Sequence, residues 1–183
     1  ARQIRSLLYM WERYGYWELR EGSQLVNKAL VGPHKYDHVI ERYLDTIRVL
    51  GGDVEGVEFP MPHDHAAEGV IRKRLADLGV IDYYVVVVPG ARWIVKEWPL
   101  LNFGELCIRL CESGKKVVIA GSPDDNEKGQ FIENYVKSDN LINLVGQTTM
   151  AELIELIRHC HIFISADTGP LHIANALKKP LIA

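Results

Sequence analysis

The sequence predicts an α/β protein built on a parallel sheet with helices packed against both faces. Three observations carry this expectation. The run Tyr84-Val85-Val86-Val87-Val88 is continuous and β-branched, as a strand covered on both sides requires. Further apolar runs at 116–120, 141–144 and 161–165 are each followed by a turn signal and a stretch of helical periodicity. Strand and helix thus alternate four times before a last strand begins at Leu181.

Taken in order, residues 1–31 mix Leu7, Leu8, Tyr9, Trp11, Tyr14, Tyr16 and Trp17 with charged residues and show no clean period. Core packing is the simplest use for these aromatics, although contact with a ligand or lipid also fits. Gly32-Pro33 breaks the chain. From Asp37, the positions Val39, Ile40, Tyr43, Leu44, Ile47 and Leu50 follow helical spacing, and Gly51-Gly52 supply the stop. Pro60 and Pro62 punctuate a loop or short strand over 53–65. A second amphipathic helix carries Val70, Ile71, Leu75 and Leu78 and ends at Gly79.

After the strand at 84–88, a helix runs from about Pro99 to Glu112, with Gly114 as its stop. Lys116-Val117-Val118-Ile119-Ala120 is the next strand, and Gly121-Ser122-Pro123 turns into a helix over 124–137. Leu141-Ile142-Asn143-Leu144 is a short strand. Thr149-Met150-Ala151-Glu152 has capping-box spacing ahead of Leu153, Ile154, Leu156 and Ile157. This order is that of a Rossmann-type sheet, in which ligands sit beyond the carboxyl ends of the strands. Pro89-Gly90, Gly121-Ser122, Gly146-Gln147 and Asp167-Thr168-Gly169 should therefore gather at one edge. The domain division is expected near residues 79–84, separating 1–82 from 83–183.

Composition sets the outer bounds. The 183 residues are 48% hydrophobic and 25% charged, ordinary for a globular protein. A net charge of -3 gives no support to nucleic-acid binding by bulk electrostatics. Three cysteines, Cys107, Cys111 and Cys160, argue against a disulfide framework and for a reducing compartment. No apolar run approaches the ~20 residues that span a bilayer. The chain starts at Ala1 rather than Met and stops at Pro180-Leu181-Ile182-Ala183, within an expected strand, so it reads as a fragment of a longer protein.

The stretch of greatest chemical interest runs from Ser165 to Leu177. It leaves the strand at Ile162-Phe163-Ile164 and opens a helix, with Gly169 permitting the turn and Pro170 suited to the first helical position. N–H groups at such a turn lack helical partners and have the positive end of the helix dipole behind them. This suits an anion such as a diphosphate. Pro170 cannot donate, so the cradle falls to Thr168, Gly169, Leu171 or His172. Asp167 and His172 face the same mouth. Helix capping by Asp167 and Thr168, with His172 as a surface residue, is the plainer alternative.

Arg92 and Lys96 follow the first strand of the sheet, and either could reach an anion on that turn; Lys offers a mobile point charge, Arg a bidentate clamp. A solvated loop charge is the plainer use of each. Asp124, Asp125 and Glu127 could hydrogen-bond ribose hydroxyls or complement a helix N-terminus. Metal ligation finds little support. His159-Cys160-His161 straddles a helix end and a strand start, where adjacent side chains diverge, and His63-Asp64-His65 has no partner at zinc spacing. His34 and His38 are four apart, but Gly32-Pro33 puts His34 before the helix proper. Cys107 and Cys111 share a helix face suited to the core. There is no GxGxxG after a strand, no GxxxxGK[ST] and no GxSxG, which removes the main support for dinucleotide oxidoreductase, P-loop and serine hydrolase readings.

Four stretches, PGARWIVKEWP, KVVIAGSPDDNE, NLVGQTTMAEL and SADTGPLHIANALKKPLIA, occur in the order and near the spacing found in the ADP-heptose:lipopolysaccharide heptosyltransferases. The chain resembles this group, glycosyltransferase family 9, over residues 84–183, and more weakly over the helix at 37–51. The resemblance implies the GT-B architecture, two Rossmann-like domains facing across a cleft. On that basis 83–183 is a donor-binding domain truncated at its end, and 1–82 the remainder of an acceptor-binding domain with its linker. It further implies that Lys96 contacts donor phosphate and that Asp167, Thr168, Gly169 and His172 form the D-[ST]-G-x-x-H donor loop. Glu127 or its Asp neighbours would then hold ribose, and Thr148 would line the adenine pocket.

The implied reaction is inverting: a carboxylate deprotonates the acceptor hydroxyl, which attacks the anomeric carbon as the nucleoside diphosphate departs. No metal or other cofactor is implied. Leaving-group charge would be met by the turn N–H groups, Lys96 and Arg92. The family's base is an Asp upstream of Ala1, so no residue here takes that role. The implied partners are a nucleotide-sugar donor and a lipid-linked saccharide acceptor, with no nucleic acid, at the cytoplasmic face of the inner membrane. Alternatives are a relative using another nucleotide sugar for O-antigen, capsule or protein glycosylation, a non-catalytic nucleotide-binding module, and a two-domain nucleotide-sugar epimerase.

Overall fold

The computed structural model describes residues 13–16, 25, 27–54, 56–91 and 93–183, and divides the chain into compact units of Ala1–Glu58 and Phe59–Ala183. In the first unit, β1 (Tyr14–Tyr16) pairs in parallel with β2 (Lys28–Leu30), and α1 (Val39–Val49) follows. Leu7, Leu8, Tyr9, Trp11 and Trp17 lie outside the described residues. Tyr14 is exposed, with the Lys28 ammonium 5.8 Å from its ring centre. On α1 the buried residue is polar. Asp45 accepts from the His34 backbone N–H at 2.7 Å and from Arg48 at 3.0 Å, and its other close neighbour is His34 Nδ1 at 2.7 Å. These bonds offset the cost of taking a carboxylate out of water.

The second unit is a five-stranded parallel sheet in the order β5-β4-β3-β6-β7. Its strands are β3 (Tyr84–Val88), β4 (Lys116–Ile119), β5 (Leu141–Asn143), β6 (Ile162–Ser165) and β7 (Leu181–Ile182). The helices are α2 (His65–Asp77), α3 (Leu100–Glu112), α4 (Asn126–Val136), α5 (Met150–His159) and α6 (Gly169–Ala176). Every residue of β3 is buried, which is why the run shows no polar alternation. Its two faces nevertheless separate. Val86 and Val88 pack with Ile71 and Leu75 of α2, Leu153 and Leu156 of α5 and Phe163. Val85 and Val87 pack with Phe103 and Cys107 of α3 and Ile132 of α4.

The compact units therefore part between Glu58 and Phe59, whereas the sequence division falls at 82/83. The reason is α2: Ile71 and Leu75 bury themselves in the sheet's own core, while Val70 and Leu78 stay exposed. Other departures are local. The first turn of the expected 124–137 helix is a 3-10 turn over Pro123–Asp125. Helix α6 starts at Gly169, so Pro170 takes its second position.

Candidate functional site

The parallel register sets the geometry. Val88 of β3 lies beside Ser165 of β6, so the chain leaves both strands at the same level and Gly90 and Asp167 emerge side by side. The Ser165 hydroxyl donates to the Ala166 carbonyl at 2.8 Å inside the protein, which fixes the exit of β6. After β3, a 3-10 turn over Ile94–Lys96 carries Lys96 back towards β6. Lys96 Nζ donates to Asp167 Oδ2 at 2.6 Å. That hydrogen bond and the attached positive charge, with a smaller contribution from His172, hold the Asp167 carboxyl below its ordinary range. Both side chains are about half exposed, 45% and 54%, so the pair contributes little to stability and opens readily.

Beside this pair lies a cavity of about 620 Å³ at the carboxyl edge of the sheet. Four of the sheet's turns supply its walls: Gly90-Ala91, Gly121 to Asp125, Thr148 to Met150, and Thr168 with Pro170. Thr148 and Thr168 both line this cavity. Asp167 immediately precedes this wall. Leu171 turns inwards and packs against the core, and its N–H donates to the Thr168 carbonyl at 3.1 Å. His172 is exposed in the first turn of α6, close enough to Asp167 to lower its carboxyl. Gly169 is exposed at the start of the helix. Glu127 is exposed and is not on the cavity wall, where Asp124 and Asp125 stand instead. Arg92 lies outside the described residues.

A network behind the wall holds the loop in place. Asp125 Oδ2 accepts from the Ser122 hydroxyl at 2.6 Å and from the Ser122 N–H at 3.2 Å. Its other oxygen accepts from Lys128 Nζ at 3.1 Å, and Lys128 also donates to Glu97. Burial would raise the Asp125 carboxyl, but the bonds from Ser122 and Lys128 outweigh it and hold it low. Gly90 passes so close to this carboxylate that a Cβ there would collide with it. Lys128, which also reaches the cavity wall, and Glu97 are not singled out by the sequence; the available signal was the i,i+3 spacing of Asp125 and Lys128.

The sequence shows no partner at zinc spacing for His63-Asp64-His65, and the fold adds neighbours from elsewhere in the chain. It brings His63 and His65 against Glu68 of α2, and His63 also against Glu155 and His159 of α5. This proximity is tertiary, and no spacing in the chain reveals it. Around Cys160 the side chains diverge as expected, with Cys160 in the core and the His161 ring 4.2 Å from that of Tyr83.

Comparison with known proteins agrees with this arrangement. The sequence model of Glycosyltransferase family 9 (heptosyltransferase) matches residues 9–183. Lipopolysaccharide heptosyltransferase 3 of Escherichia coli K12 is 31% identical over 185 aligned residues, covering 100% of this chain and 52% of that protein. The chain therefore spans about half the length of this curated relative. Among solved structures, a glycosyl transferase family 9 protein of Veillonella parvula superposes with a TM-score of 0.75 at 20% identity, covering 86% of this chain and 46% of that one. The E. coli ADP-heptose lps heptosyltransferase II gives 0.67 at 24%, covering 87% and 51%. The sheet order, its ligand-sized edge cavity and a family match across nearly the whole sequence lead to one conclusion: this chain belongs to glycosyltransferase family 9, the heptosyltransferases.

Proposed function

We propose that the protein containing this chain is an inverting glycosyltransferase that moves heptose from ADP-heptose onto a lipopolysaccharide core, with this sheet as its donor-binding part. The observation that carries the reading is the Lys96–Asp167 contact beside the edge cavity. Heptose and lipopolysaccharide come from the relative that aligns along the whole chain, and ADP from the family resemblance of the sequence.

The chemistry demands stabilisation of a departing diphosphate. As the acceptor oxygen bonds to the anomeric carbon, the bond from that carbon to the diphosphate oxygen breaks and negative charge grows on phosphate. The positive end of α6 faces this charge, and Lys96 exchanges its exposed carboxylate for a phosphate oxygen. Asp167, released from Lys96, lies at the sugar end of the donor. Thr148 and Thr149 close the far wall, where the adenine would sit. The proton of the acceptor hydroxyl goes to a carboxylate base. The lipid-linked acceptor of this reading is met by peripheral contact at the cytoplasmic face of the membrane; no helix among the described residues is long and apolar enough to cross one.

Steady-state kinetics of heptosyl transfer by the full-length enzyme test the assignment. Lys96→Ala and His172→Ala are each expected to lower kcat/KM at least ~10-fold, about 1.4 kcal/mol of transition-state stabilisation. Unchanged kinetics in both variants would remove the site from this loop.

A further inference from the structure

On the α5 face, three groups converge that the transfer reaction does not use: His63, Glu155 and His159. We propose that they form a binding site for a zinc-class divalent transition metal, which fastens the 61–65 loop to α5.

The distances are near those of co-ligands. A tetrahedral ion with bonds of 2.0–2.1 Å sets its ligand atoms about 3.3 Å apart. His63 Nε2 lies 2.9 Å from Glu68 Oε2 and 3.5 Å from Glu155 Oε2. His159 Nε2 lies 3.0 Å from Glu68 Oε1 and 3.9 Å from Glu155 Oε2. Only Glu155 Oε2 is shared by both histidines, at 3.5 and 3.9 Å, a little beyond that value; Glu68 meets them through two different oxygens. The group His63, Glu155 and His159 keeps its ligand atoms within 4.8 Å of one another.

Direction adds a second argument. His159 Nε2 is buried and makes no hydrogen bond, although a carboxylate oxygen stands 3.0 Å away. A ring nitrogen that close, yet not aimed at the oxygen, is placed as a neighbour sharing a common target. Leaving such an atom unpaired is costly, and an ion between the loop and α5 would satisfy it.

The surroundings favour one class of ion. Glu155 is fully buried; its Oε1 accepts from the Asp64 N–H at 3.1 Å and its Oε2 from Arg158 at 2.9 Å. Arg158 is itself held by the carbonyls of Met61 and Pro62, and Arg72 lies 3.3 Å from Glu68. Both carboxylates are thus already balanced by guanidinium groups. Net negative charge, which calcium or magnesium would need, is missing, while two imidazoles offer neutral lone pairs. Glu155 and His159 sit one helical turn apart on α5, so one rigid element presents two of the ligands. A cavity of about 490 Å³ lined by Pro62, His63, Ala151 and Ile154 gives an ion access from solvent.

Zinc titration of the untagged, chelator-treated protein tests this, with heat-denaturation midpoints measured in parallel. The expected result is one zinc per chain and a raised midpoint. Both should be lost, with affinity at least ~10-fold weaker, in His63→Ala and in His159→Ala. His161→Ala, two residues on and stacked against Tyr83, should bind as the parent does. Failure of the parent to take up stoichiometric zinc, or uptake unchanged in both ligand variants, would overturn the proposal. Should either variant fold poorly, the cobalt form of the parent decides: strong visible bands of four-coordinate cobalt support the site, and the faint spectrum of six-coordinate cobalt contradicts it. None of these readouts depends on heptosyl transfer, so failure here leaves the transferase reading untouched.

Discussion

Asp125 shows how a single carboxylate can set the shape of a ligand-binding edge. It caps its own 3-10 turn through Ser122, anchors Lys128 and crowds Gly90, so three segments take their position from one side chain. Because its folded carboxyl titrates below the ordinary value of about 4, the stability it contributes is complete above that value and is lost as pH falls through the lowered one. Urea-unfolding midpoints should therefore fall more steeply between about pH 5 and pH 3 in the parent than in Asp125→Asn. Parallel curves would dissociate Asp125 from acid stability. The cysteines give a second prediction at this scale. Burial pushes the Cys107 thiol up to about 12 and Cys160 up to about 11, and raises Cys111 in the same sense. All three should resist an alkylating reagent at pH 8 until the protein is unfolded, as mass spectrometry would show. Cys107 and Cys111 were legible as core from their shared helix face; Cys160 was not. Nor was the role of Lys128 legible, because its partner Glu97 stands on a loop far away in the chain.

Elements follow the sequence wherever a local rule decides them. Thr149 and Glu152 form the capping box their spacing announces, with Thr149 Oγ1 accepting from the Glu152 N–H at 3.2 Å and Glu152 Oε2 from the Thr149 N–H at 2.7 Å. Thr149→Ala should cost about 1 kcal/mol, read as a lowered denaturation midpoint, and an unchanged midpoint would deny the cap its role. Turn glycines and the β-branched run placed the strands of the sheet in the same way. Pairing across the fold was beyond reach. Strands β1 and β2 are three residues each, too short to show a period, and α1 buries an aspartate while Val39, Tyr43 and Ile47 stay exposed. Helix α2 was legible as a helix but not as part of the sheet's unit. Its amphipathic pattern says that one face is buried, not which core receives it. Its last turn also reaches the loop before α5, where Arg74 donates to the Gln147 carbonyl at 2.7 Å.

At the scale of the molecule, the parallel sheet turns order along the chain into convergence in space. Strand order β5-β4-β3-β6-β7 brings the turns after β3, β4, β5 and β6 to one edge, although about eighty residues separate the first from the last. This is why four motifs far apart in the chain can line one cavity. The gathering of four turns at one edge was legible from strand order, and the cavity that Thr148 and Thr168 line lies there. Which acids line it was not: Asp124 and Asp125 face it, while Glu127, two positions further, points to solvent. A single helical turn is enough to reverse that choice. The opposite end of α5 carries the histidine–glutamate cluster, so the same sheet presents two chemically distinct regions.

The central claim is that the edge cavity is a nucleoside diphosphate site for an ADP-sugar. Calorimetric titration of the folded protein with ADP, UDP, GDP and CMP, repeated on Lys96→Ala and His172→Ala, tests it most directly. Selective binding of ADP, weakened at least ~10-fold by either substitution, is the predicted result. Selective binding of UDP or GDP would contradict the ADP-heptose donor, and ADP binding indifferent to both substitutions would contradict the site.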